Sequence, residues 1–221
     1  GLNPADSPND ANLIVINTCS FIEEAREESI ETVFELSQLR DDGAELVVTG
    51  CLAERYGDEI ASSLKSDVDA VVGFGVPVSI TSKPETPKFD LLNLPRPKRE
   101  EPWGYVKVAE GCDRICGFCA IPSFRGPQRS RSIDDIREEA LSLDVQEIVL
   151  VAQDLASWGR DRRDSNEGVV DLVKEISELV PWVRLLYLYP SSLTGELLDI
   201  IASSPVPYFD LSLQHVSAPL L

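Results

Sequence analysis

The first 75 residues alternate between short apolar runs and longer stretches with helical spacing. The apolar runs have the length of strands, and the stretches between them place apolar side chains three to four residues apart. This alternation predicts a parallel sheet, because a helix that follows a strand returns the chain to begin the next strand in the same direction. The predicted strands are 12–17, 45–49 and 68–72, and the predicted helices are 20–42 and 51–64.

The first of these helices has boundary signals of its own. Ser20 is followed three residues later by Glu23, which is the spacing of a capping box. In that motif two side chains satisfy backbone N–H groups that the helix itself leaves unpaired. Gly43 is expected to end the helix, since glycine readily adopts the left-handed conformation of a helix end.

A proline-rich segment over 76–102 separates this region from a second alternating region. The segment holds six of the 15 prolines and a short basic run at 96–99, a composition typical of a connection between domains. From residue 103 onward, four strand–helix repeats fit the first half of a β/α barrel better than a complete fold. The predicted strands are 105–109, 147–152, 183–189 and 208–213, and the predicted helices are 132–143, 168–179 and 194–203. The chain is thus predicted to be an α/β protein with a parallel-sheet domain over 1–75, a linker over 76–102 and a partial barrel over 103–221.

Composition adds several exclusions to this picture. A length of 221 residues, 43% of them hydrophobic and 26% charged, is typical of a globular protein. Twenty basic and 38 acidic residues give a net charge of −18, so the chain is not expected to bind nucleic acid directly. The longest apolar runs are too short to span a membrane, and the start of the sequence lacks the charged-then-apolar pattern that is typical of a signal peptide. The absence of methionine and the apolar ending at 219–221 lead us to expect a piece of a longer protein.

Three of the five cysteines form a compact motif. Cys112, Cys116 and Cys119 follow the first strand of the second region with Cys-x3-Cys-x2-Cys spacing. An odd number of cysteines without signs of secretion argues against a disulfide framework and favours a cytoplasmic protein. Thiolates are the usual ligands of iron–sulfur clusters, and three of them leave one of four irons open to a small molecule.

Zinc is the alternative occupant of this motif. Structural zinc usually takes four ligands with paired spacing, and the single histidine, His215, lies far along the chain. A zinc-binding module without catalysis would give a colourless protein.

The cysteine motif after the first strand of a β/α barrel resembles that of the radical S-adenosylmethionine (SAM) enzymes. The resemblance implies that Cys112, Cys116 and Cys119 hold a [4Fe–4S] cluster whose open iron binds SAM. It also implies that the reduced cluster cleaves SAM to a 5′-deoxyadenosyl radical, which abstracts hydrogen from an unactivated carbon. The protein would then supply positioning and exclude water.

Two further cysteines make the chain similar to the methylthiotransferases within that family. Asn17-Thr18-Cys19 and Thr49-Gly50-Cys51 each close a predicted strand, and ligands collect at the carboxyl ends of parallel strands. The resemblance implies that Cys19 and Cys51 hold part of an auxiliary [4Fe–4S] cluster associated with sulfur delivery. The third cysteine of that site, expected upstream of residue 1, is absent, and so is the second half of the barrel. The chain alone is therefore expected to be inactive.

Several stretches resemble the branch of the family that modifies an aspartate of the small-subunit ribosomal protein S-twelve. The resemblance implies insertion of a methylthio group at the β-carbon of that aspartate, with electron and sulfur donors unknown. The alternative is the branch that modifies adenosine in tRNA, which carries a different stretch in place of 151–154. The matching stretches are 121–127, 151–154, 158–161 and 184–190.

Other polar residues are weaker candidates. Gln153 and Asp154, like Gln214 and His215, lie at the carboxyl ends of predicted barrel strands, where barrels carry their sites. Gln153 and Asp154 could contact SAM or substrate, or could cap and bond the local loop. The remaining candidates are Arg114, Arg125, Arg129 and Arg131, which either face anions or pair with nearby acids, and Phe118, which either shields the cluster or packs the loop.

Overall fold

The computed structural model describes residues 3–73, 101–163 and 165–220. These residues form two compact units, one containing 3–73 and the other most of 101–220. Both units are built on parallel sheets with helices, which confirms the α/β prediction. Residues 76–100 of the predicted linker lie outside the described residues. In the described ranges, no helix combines the length and the apolar content that crossing a bilayer requires.

The first unit is a three-stranded parallel sheet in the order β1-β2-β3. Its strands are β1 (Leu13–Thr18), β2 (Glu45–Gly50) and β3 (Ala70–Val71), and its helices are α1 (Glu23–Leu39) and α2 (Cys51–Ser63), with a short 3-10 turn at Pro8–Asp10. Val33 of α1 and Leu46 and Val48 of β2 are fully buried and lie at the centre of the core. The predicted strand–helix order over this unit is confirmed.

The start of α1 differs from the predicted capping box. The helix begins at Glu23 after Ile22, without a side-chain cap, and Ser20 is buried instead. Ser29 ties the turn to the helix: its hydroxyl accepts from the Cys19 N–H at 3.1 Å and donates to the Ala25 carbonyl at 2.7 Å. The capping-box prediction was wrong because Ser29, from within the helix, rather than Ser20, holds the segment that leads into α1.

The end of α1 also lies earlier than predicted. Arg40 follows the last helical residue in extended conformation. Gly43 lies beyond it in a turn with φ +99°, where the Ala44 N–H bonds to the Asp41 carbonyl. The glycine therefore shapes the turn into β2 rather than the helix end.

The second unit is a parallel sheet in the order β4-β7-β8, with a separate two-stranded antiparallel hairpin β5-β6. A large core joins the sheet to its helices, with Ile136, Leu150 and Leu172 fully buried. The strands are β4 (Trp103–Lys107), β5 (Ala109–Glu110), β6 (Arg129–Ser130), β7 (Glu147–Val151) and β8 (Trp182–Leu185). The helices are α3 (Ile121–Arg125), α4 (Ile133–Leu143), α5 (Val169–Ser177) and α6 (Gly195–Ala202), with 3-10 turns at Leu155–Ser157, Pro190–Ser192 and Ala218–Leu220.

The last two predicted strands of this unit are shorter than expected. β8 ends at Leu185, because Tyr187 adopts a left-handed conformation with φ +63° that an extended strand does not permit. Within 208–213, all of them described, the pairing is reduced to one parallel bridge between Leu188 and Leu211. The described part of this unit therefore contains three paired barrel strands and a single bridge at the place of the fourth.

Candidate metal centres

Cys19 and Cys51 follow the last register pair of two neighbouring strands. β1 and β2 are parallel, and Thr18 of β1 lies opposite Gly50 of β2. Since neighbouring strands are about 4.8 Å apart, the two cysteines leave the same edge of the sheet side by side. Their predicted placement at equivalent strand ends is confirmed, while their role as cluster ligands stays a prediction.

Glycine is required at the second of these strand ends. Gly50 has φ +98° and ψ −166°, a backbone region that residues other than glycine essentially never adopt. A Cβ at this position would overlap the Asn17 side chain and the Thr18 backbone. The residue therefore lets β1 and β2 approach closely and turns the chain so that Cys51 begins α2.

The environment of Cys19 is open. Cys19 is exposed, and Cys51 is half-buried. The Cys19 sulfur accepts the Phe21 N–H at 3.5 Å, and the apolar side chains of Phe21 and Ile22 beside it are exposed. An accessible thiol at a sheet edge is suited to bind an inorganic cluster.

The loop of the three-cysteine motif is closed at its base by the β5-β6 hairpin. Ala109 and Glu110 pair with Ser130 and Arg129. Gly111 follows with φ +83°, and a Cβ there would overlap the carbonyl oxygens of Gly126 and Pro127. The hairpin and the glycine therefore bring the two ends of the loop together.

Further hydrogen bonds fix the first part of the loop. The Cys112 N–H donates to the Gly126 carbonyl at 3.1 Å, and the Asp113 carboxylate accepts from the Gln128 N–H at 3.0 Å. The Cys112 sulfur is buried and accepts the Arg114 N–H at 3.4 Å. The loop is thus ordered around the first thiol of the motif.

All five cysteines are thiols rather than half-cystines. Cys116 and Cys119 are half-buried, and the apolar side chains of Ile115 and Phe118 beside them are exposed. Among the described residues, no three side chains of His, Cys, Asp or Glu converge on a point that could hold a metal ion. The donor set nevertheless fits an iron–sulfur cluster by its chemistry, because it offers thiols alone on a loop anchored at its base.

Asp154 lies behind this loop, at the carboxyl end of β7. Its carboxylate accepts from the Arg114 Nε at 2.7 Å and from the Ser157 hydroxyl at 2.7 Å, and it is buried. Within the described residues, its other oxygen has no hydrogen-bond partner. The observed contacts agree with the local role considered for Asp154, while a contact with SAM or substrate stays a prediction.

Gln153 borders an open cavity of about 610 Å³ on the other side of the same strand end. Its buried Oε1 has no hydrogen-bond partner among the described residues. Tyr105, Lys107, Arg125 and Tyr187 contribute the other polar side chains of the cavity. The cavity therefore combines aromatic faces, two cations and a buried amide oxygen, which suits a polar ligand with a negatively charged group.

Glu110 ties these two cations together. It forms an ion pair with Lys107 and a second with Arg125 at 2.8 Å. Burial acts to raise the pKa of the Glu110 carboxyl, but the two cations outweigh it and hold that pKa below its ordinary value of 4.5. The carboxylate is therefore charged at neutral pH, and the trio keeps one net positive charge.

Most of the arginines singled out in the sequence pair with acids. Arg114 pairs with Asp154 and Arg125 with Glu110. Arg131 is buried, pairs with Glu139 and also donates to the Lys107 carbonyl at 2.7 Å. Of the two interpretations that the sequence left open, pairing with nearby acids is the one observed for these three.

Within the described part of the chain, the hydrogen bonds of Gln214 and His215 are to residues close to them in sequence. The Gln214 amide bonds to the Ser212 carbonyl at 3.5 Å. The His215 Nδ1 accepts the Ser217 N–H at 2.8 Å. Both side chains are exposed, so local loop bonding accounts for them.

Sequence reasoning missed two serines and a tyrosine around Arg114. Ser157 and Ser192 are buried, and both hydroxyls accept from the Arg114 guanidinium. The Tyr189 ring lies 4.2 Å from the Arg114 Cζ. Each follows the carboxyl end of a barrel strand, and Tyr189 also lies in the stretch 184–190 that resembles the family.

The chain belongs to the radical SAM superfamily, whose family pattern matches residues 106–220. An uncharacterized protein family, UPF0004, matches residues 1–73. The superfamily implies SAM and an iron–sulfur cluster as cofactors. The matched range includes the whole Cys112–Cys119 loop and the strand ends around it.

Curated relatives narrow the similarity to one kind of radical SAM protein. The chain is 39% identical over 241 residues to "Ribosomal protein uS12 methylthiotransferase RimO" of Myxococcus xanthus, covering 100% of this chain and 50% of the relative. Proteins of the same name are 40% identical in Acetivibrio thermocellus, over 96% of this chain and 53% of the relative, and 41% identical in a Synechococcus species, over 97% and 49%. The chain thus spans about half the length of the curated relatives it matches.

One solved structure, a radical S-adenosylmethionine methyltransferase, TsrM, from Kitasatospora setae, aligns over 95% of this chain and 50% of its own. The TM-score is 0.48 at 15% sequence identity, a similarity too low to support an inference.

Proposed function

We propose that the full-length protein is a methylthiotransferase that inserts a methylthio group at the β-carbon of an aspartate in ribosomal protein uS12. The observation that carries this proposal is the identity of about 40% to proteins named for that activity, which extends along nearly the whole chain. That extent covers both the first unit and the half barrel, and therefore both cysteine groups.

The proposed ligand sets follow from the two cysteine groups. Cys112, Cys116 and Cys119 would hold the [4Fe–4S] cluster whose open iron binds SAM. Cys19 and Cys51 would hold part of an auxiliary [4Fe–4S] cluster, with a third thiolate supplied from elsewhere in the protein. When bound, the first cluster would supply the one electron that reductively cleaves a carbon–sulfur bond of SAM.

In this mechanism the chain's own residues position the cluster loop and bind SAM or the substrate. The hairpin β5-β6 and Gly111 fix the base of the cluster loop. The cavity beside it offers Lys107 and Arg125 to a carboxylate and the amide of Gln153 to a polar group. Both SAM and an aspartate side chain carry a carboxylate, so one net positive charge here favours either of them. No acid or base is needed to abstract the hydrogen.

We also propose a cytoplasmic location. A pair of thiol-based clusters requires reduced cysteines, which persist in the cytoplasm and not in oxidising compartments. The named substrate of the relatives is a ribosomal protein, which is present in the same compartment. The electron and sulfur donors are not identified by this reasoning.

The activity is tested on the full-length protein after anaerobic reconstitution. The protein is incubated with SAM and a reductant, once with ribosomal protein uS12 and once with tRNA, and each product is analysed by mass spectrometry. We expect a methylthio adduct on an aspartate of uS12 and unmodified tRNA. A methylthiolated adenosine would overturn the substrate assignment.

The cluster is tested by iron and acid-labile sulfide in a variant with Cys112, Cys116 and Cys119 all changed to Ala. We expect the variant to lose about four irons per chain and all SAM cleavage. Zinc in place of iron, or an iron content that the variant does not change, would overturn the proposed centre.

A further inference from the structure

The Arg114 guanidinium is held by side chains from the carboxyl ends of two barrel strands. Its Nε donates to the Asp154 carboxylate at 2.7 Å. Its Nη2 donates to the hydroxyl of Ser157 at 3.3 Å and to that of Ser192. The Tyr189 ring covers the guanidinium, with 4.2 Å between the Arg114 Cζ and the ring centroid. We call these four partners the arginine seat.

Members of the arginine seat are buried and also bond to one another. The Ser157 hydroxyl donates to the same Asp154 oxygen that accepts from Arg114. Asp154, Ser157 and Ser192 are 3%, 8% and 4% exposed. A buried carboxylate is unfavourable without a cationic partner. The seat therefore binds the guanidinium strongly and in one orientation. If Arg114 left, the buried Asp154 carboxylate would lose its cationic partner.

The backbone of the same residue reaches the first cysteine of the motif. The Arg114 N–H donates to the Cys112 sulfur at 3.4 Å, and Arg114 lies between Cys112 and Cys116 in the sequence. Hydrogen bonds to ligand sulfurs help to set the reduction potential of iron–sulfur clusters. An anchored side chain at this residue thus fixes a backbone donor on a ligand sulfur.

We propose that Arg114 is a positioning residue for the SAM-binding cluster. Its side chain clamps the cysteine loop onto the ends of β7 and β8, and its N–H bonds to the Cys112 sulfur. This inference rests on the proposed function, since it assumes that Cys112, Cys116 and Cys119 hold the cluster. It assigns to Arg114 no contact with SAM or substrate.

The clamp predicts a particular order among variants. Arg114→Met removes both the charge and the planar donors, so the loop is released from the seat. Arg114→Lys keeps the charge beside Asp154 but cannot reach Asp154 and both serines together. Ser192→Ala keeps the Asp154 pair and removes one of the acceptors, although its hydroxyl also receives a 3.5 Å contact from Arg160.

A matched control exists in the same unit. Arg137 pairs with Glu175 at 3.0 Å, with side chains that are 48% and 38% exposed. Exposed pairs of this kind contribute little to stability. Arg137→Met therefore removes an arginine from an ion pair without touching the cysteine loop or the arginine seat.

The test uses the full-length protein, reconstituted anaerobically in a variant that also carries Cys19→Ala and Cys51→Ala, so that the iron observed belongs to one centre. We measure iron affinity in competition with a chelator, the midpoint potential by redox titration followed by electron paramagnetic resonance, and the melting temperature. Loss of an outer contact to a metal ligand typically weakens metal affinity about 10-fold or more. Loss of an N–H···S bond also disfavours the more negative reduced state.

We expect Arg114→Met to bind iron about 10-fold more weakly and to have a lower midpoint potential. The iron affinity and midpoint potential of Arg114→Lys and Ser192→Ala should lie between those of Arg114→Met and those of the parent protein. Arg137→Met should match the parent protein in both quantities. A folded Arg114→Met variant with the parent's affinity and potential would overturn the proposal. If Arg114→Met does not fold, Ser192→Ala decides: a changed potential supports the clamp, and an unchanged one overturns it. If the parent protein binds no iron, the proposed function itself is contradicted. This result differs from the two outcomes that concern Arg114 alone.

Discussion

Thr18 and Gly50 lie opposite each other at the last register pair of two parallel strands, and a cysteine follows each of them. The Thr18 hydroxyl donates to the Thr49 carbonyl at 2.6 Å across the strands. This bond and the close approach at Gly50 fix the edge from which Cys19 and Cys51 depart. The backbone of the sheet thus places two thiols side by side before any cluster is bound.

Gly50→Ala is expected to destabilise the first unit. Gly50 has φ +98° and ψ −166°, and an added Cβ would overlap the backbone of Thr18. Strain of this kind and overpacking together should lower the free energy of unfolding by about 2–5 kcal/mol. Urea unfolding followed by circular dichroism measures the loss.

Gly57→Ala is the matched control, because it lies in α2 and a Cβ there meets nothing within 4 Å. It should leave the free energy of unfolding unchanged or raise it by about 0.5–1 kcal/mol. Equal losses in the two variants would contradict the role given to Gly50.

Trp158→Phe is expected to destabilise the second unit. Trp158 is 1% exposed, and its Nε1 donates to the Val108 carbonyl at 3.1 Å. Val108 lies between β4 and the hairpin strand β5, so this bond ties the base of the cysteine loop to the core. Phenylalanine removes this bond, at a cost of about 0.5–1.5 kcal/mol, and the Arg131 N–H still donates to the same carbonyl at 2.9 Å.

Trp182→Phe provides the comparison, since Trp182 is 49% exposed. This substitution should change the free energy of unfolding by less than about 0.5 kcal/mol. Thermal and urea unfolding of both variants give the values. The interpretation of Trp158 fails if the two substitutions have the same effect.

Glu110→Gln should remove a pH-dependent part of the stability. Lys107 and Arg125 hold the pKa of the Glu110 carboxyl in the folded protein below its ordinary value of 4.5. A lowered pKa means that this contribution is fully present above pH 4.5 and is lost as the pH falls through the folded-state pKa. At neutral pH the variant should lose about 1–3 kcal/mol, since two charge-assisted bonds of a half-buried carboxylate are removed.

The expected signature is a gap between wild type and Glu110→Gln that narrows steadily below pH 4.5. Urea titrations at neutral pH and at several lower values measure it. Glu196→Gln removes an exposed partner of Lys174 and should have an effect below about 1 kcal/mol. A gap for Glu110→Gln that stays constant with pH would show that the ion pairs do not cause it.

Helices α4, α5 and α6 of the second unit could be predicted closely because their signals are local, whereas the short helix α3 (Ile121–Arg125) was not predicted. Ser132 and Thr194 precede α4 and α6, and their hydroxyls accept from the N–H groups of Asp135 and Leu197. The apolar spacing within each helix is also visible in sequence. The capping box at Ser20 had the same local appearance and was wrong, because the hydroxyl of Ser29 binds the turn instead.

Contacts between distant parts of the chain were beyond sequence reasoning. Arg114 was identified as one of several arginines, but its pairing with Asp154 joins positions 40 residues apart. Its contact with Ser192 spans 78 residues. The cysteine motif was readable because its spacing is local, whereas the arginine seat depends on which strand ends lie next to each other in the folded sheet.

Replacing Cys19 and Cys51 together by Ala should remove the auxiliary cluster and leave the SAM-binding one. In the full-length protein, we expect the iron content after reconstitution to fall from about eight to about four per chain. The four that remain should depend on Cys112, Cys116 and Cys119. The first sheet should stay folded, since Cys19 is exposed and alanine suits the first turn of α2. Reductive cleavage of SAM should continue, while methylthiolation of uS12 stops. Iron analysis, deoxyadenosine formation and mass spectrometry of uS12 measure the three effects. If the double variant keeps all its iron and still modifies uS12, the two thiols at this sheet edge do not hold a cluster that the reaction needs.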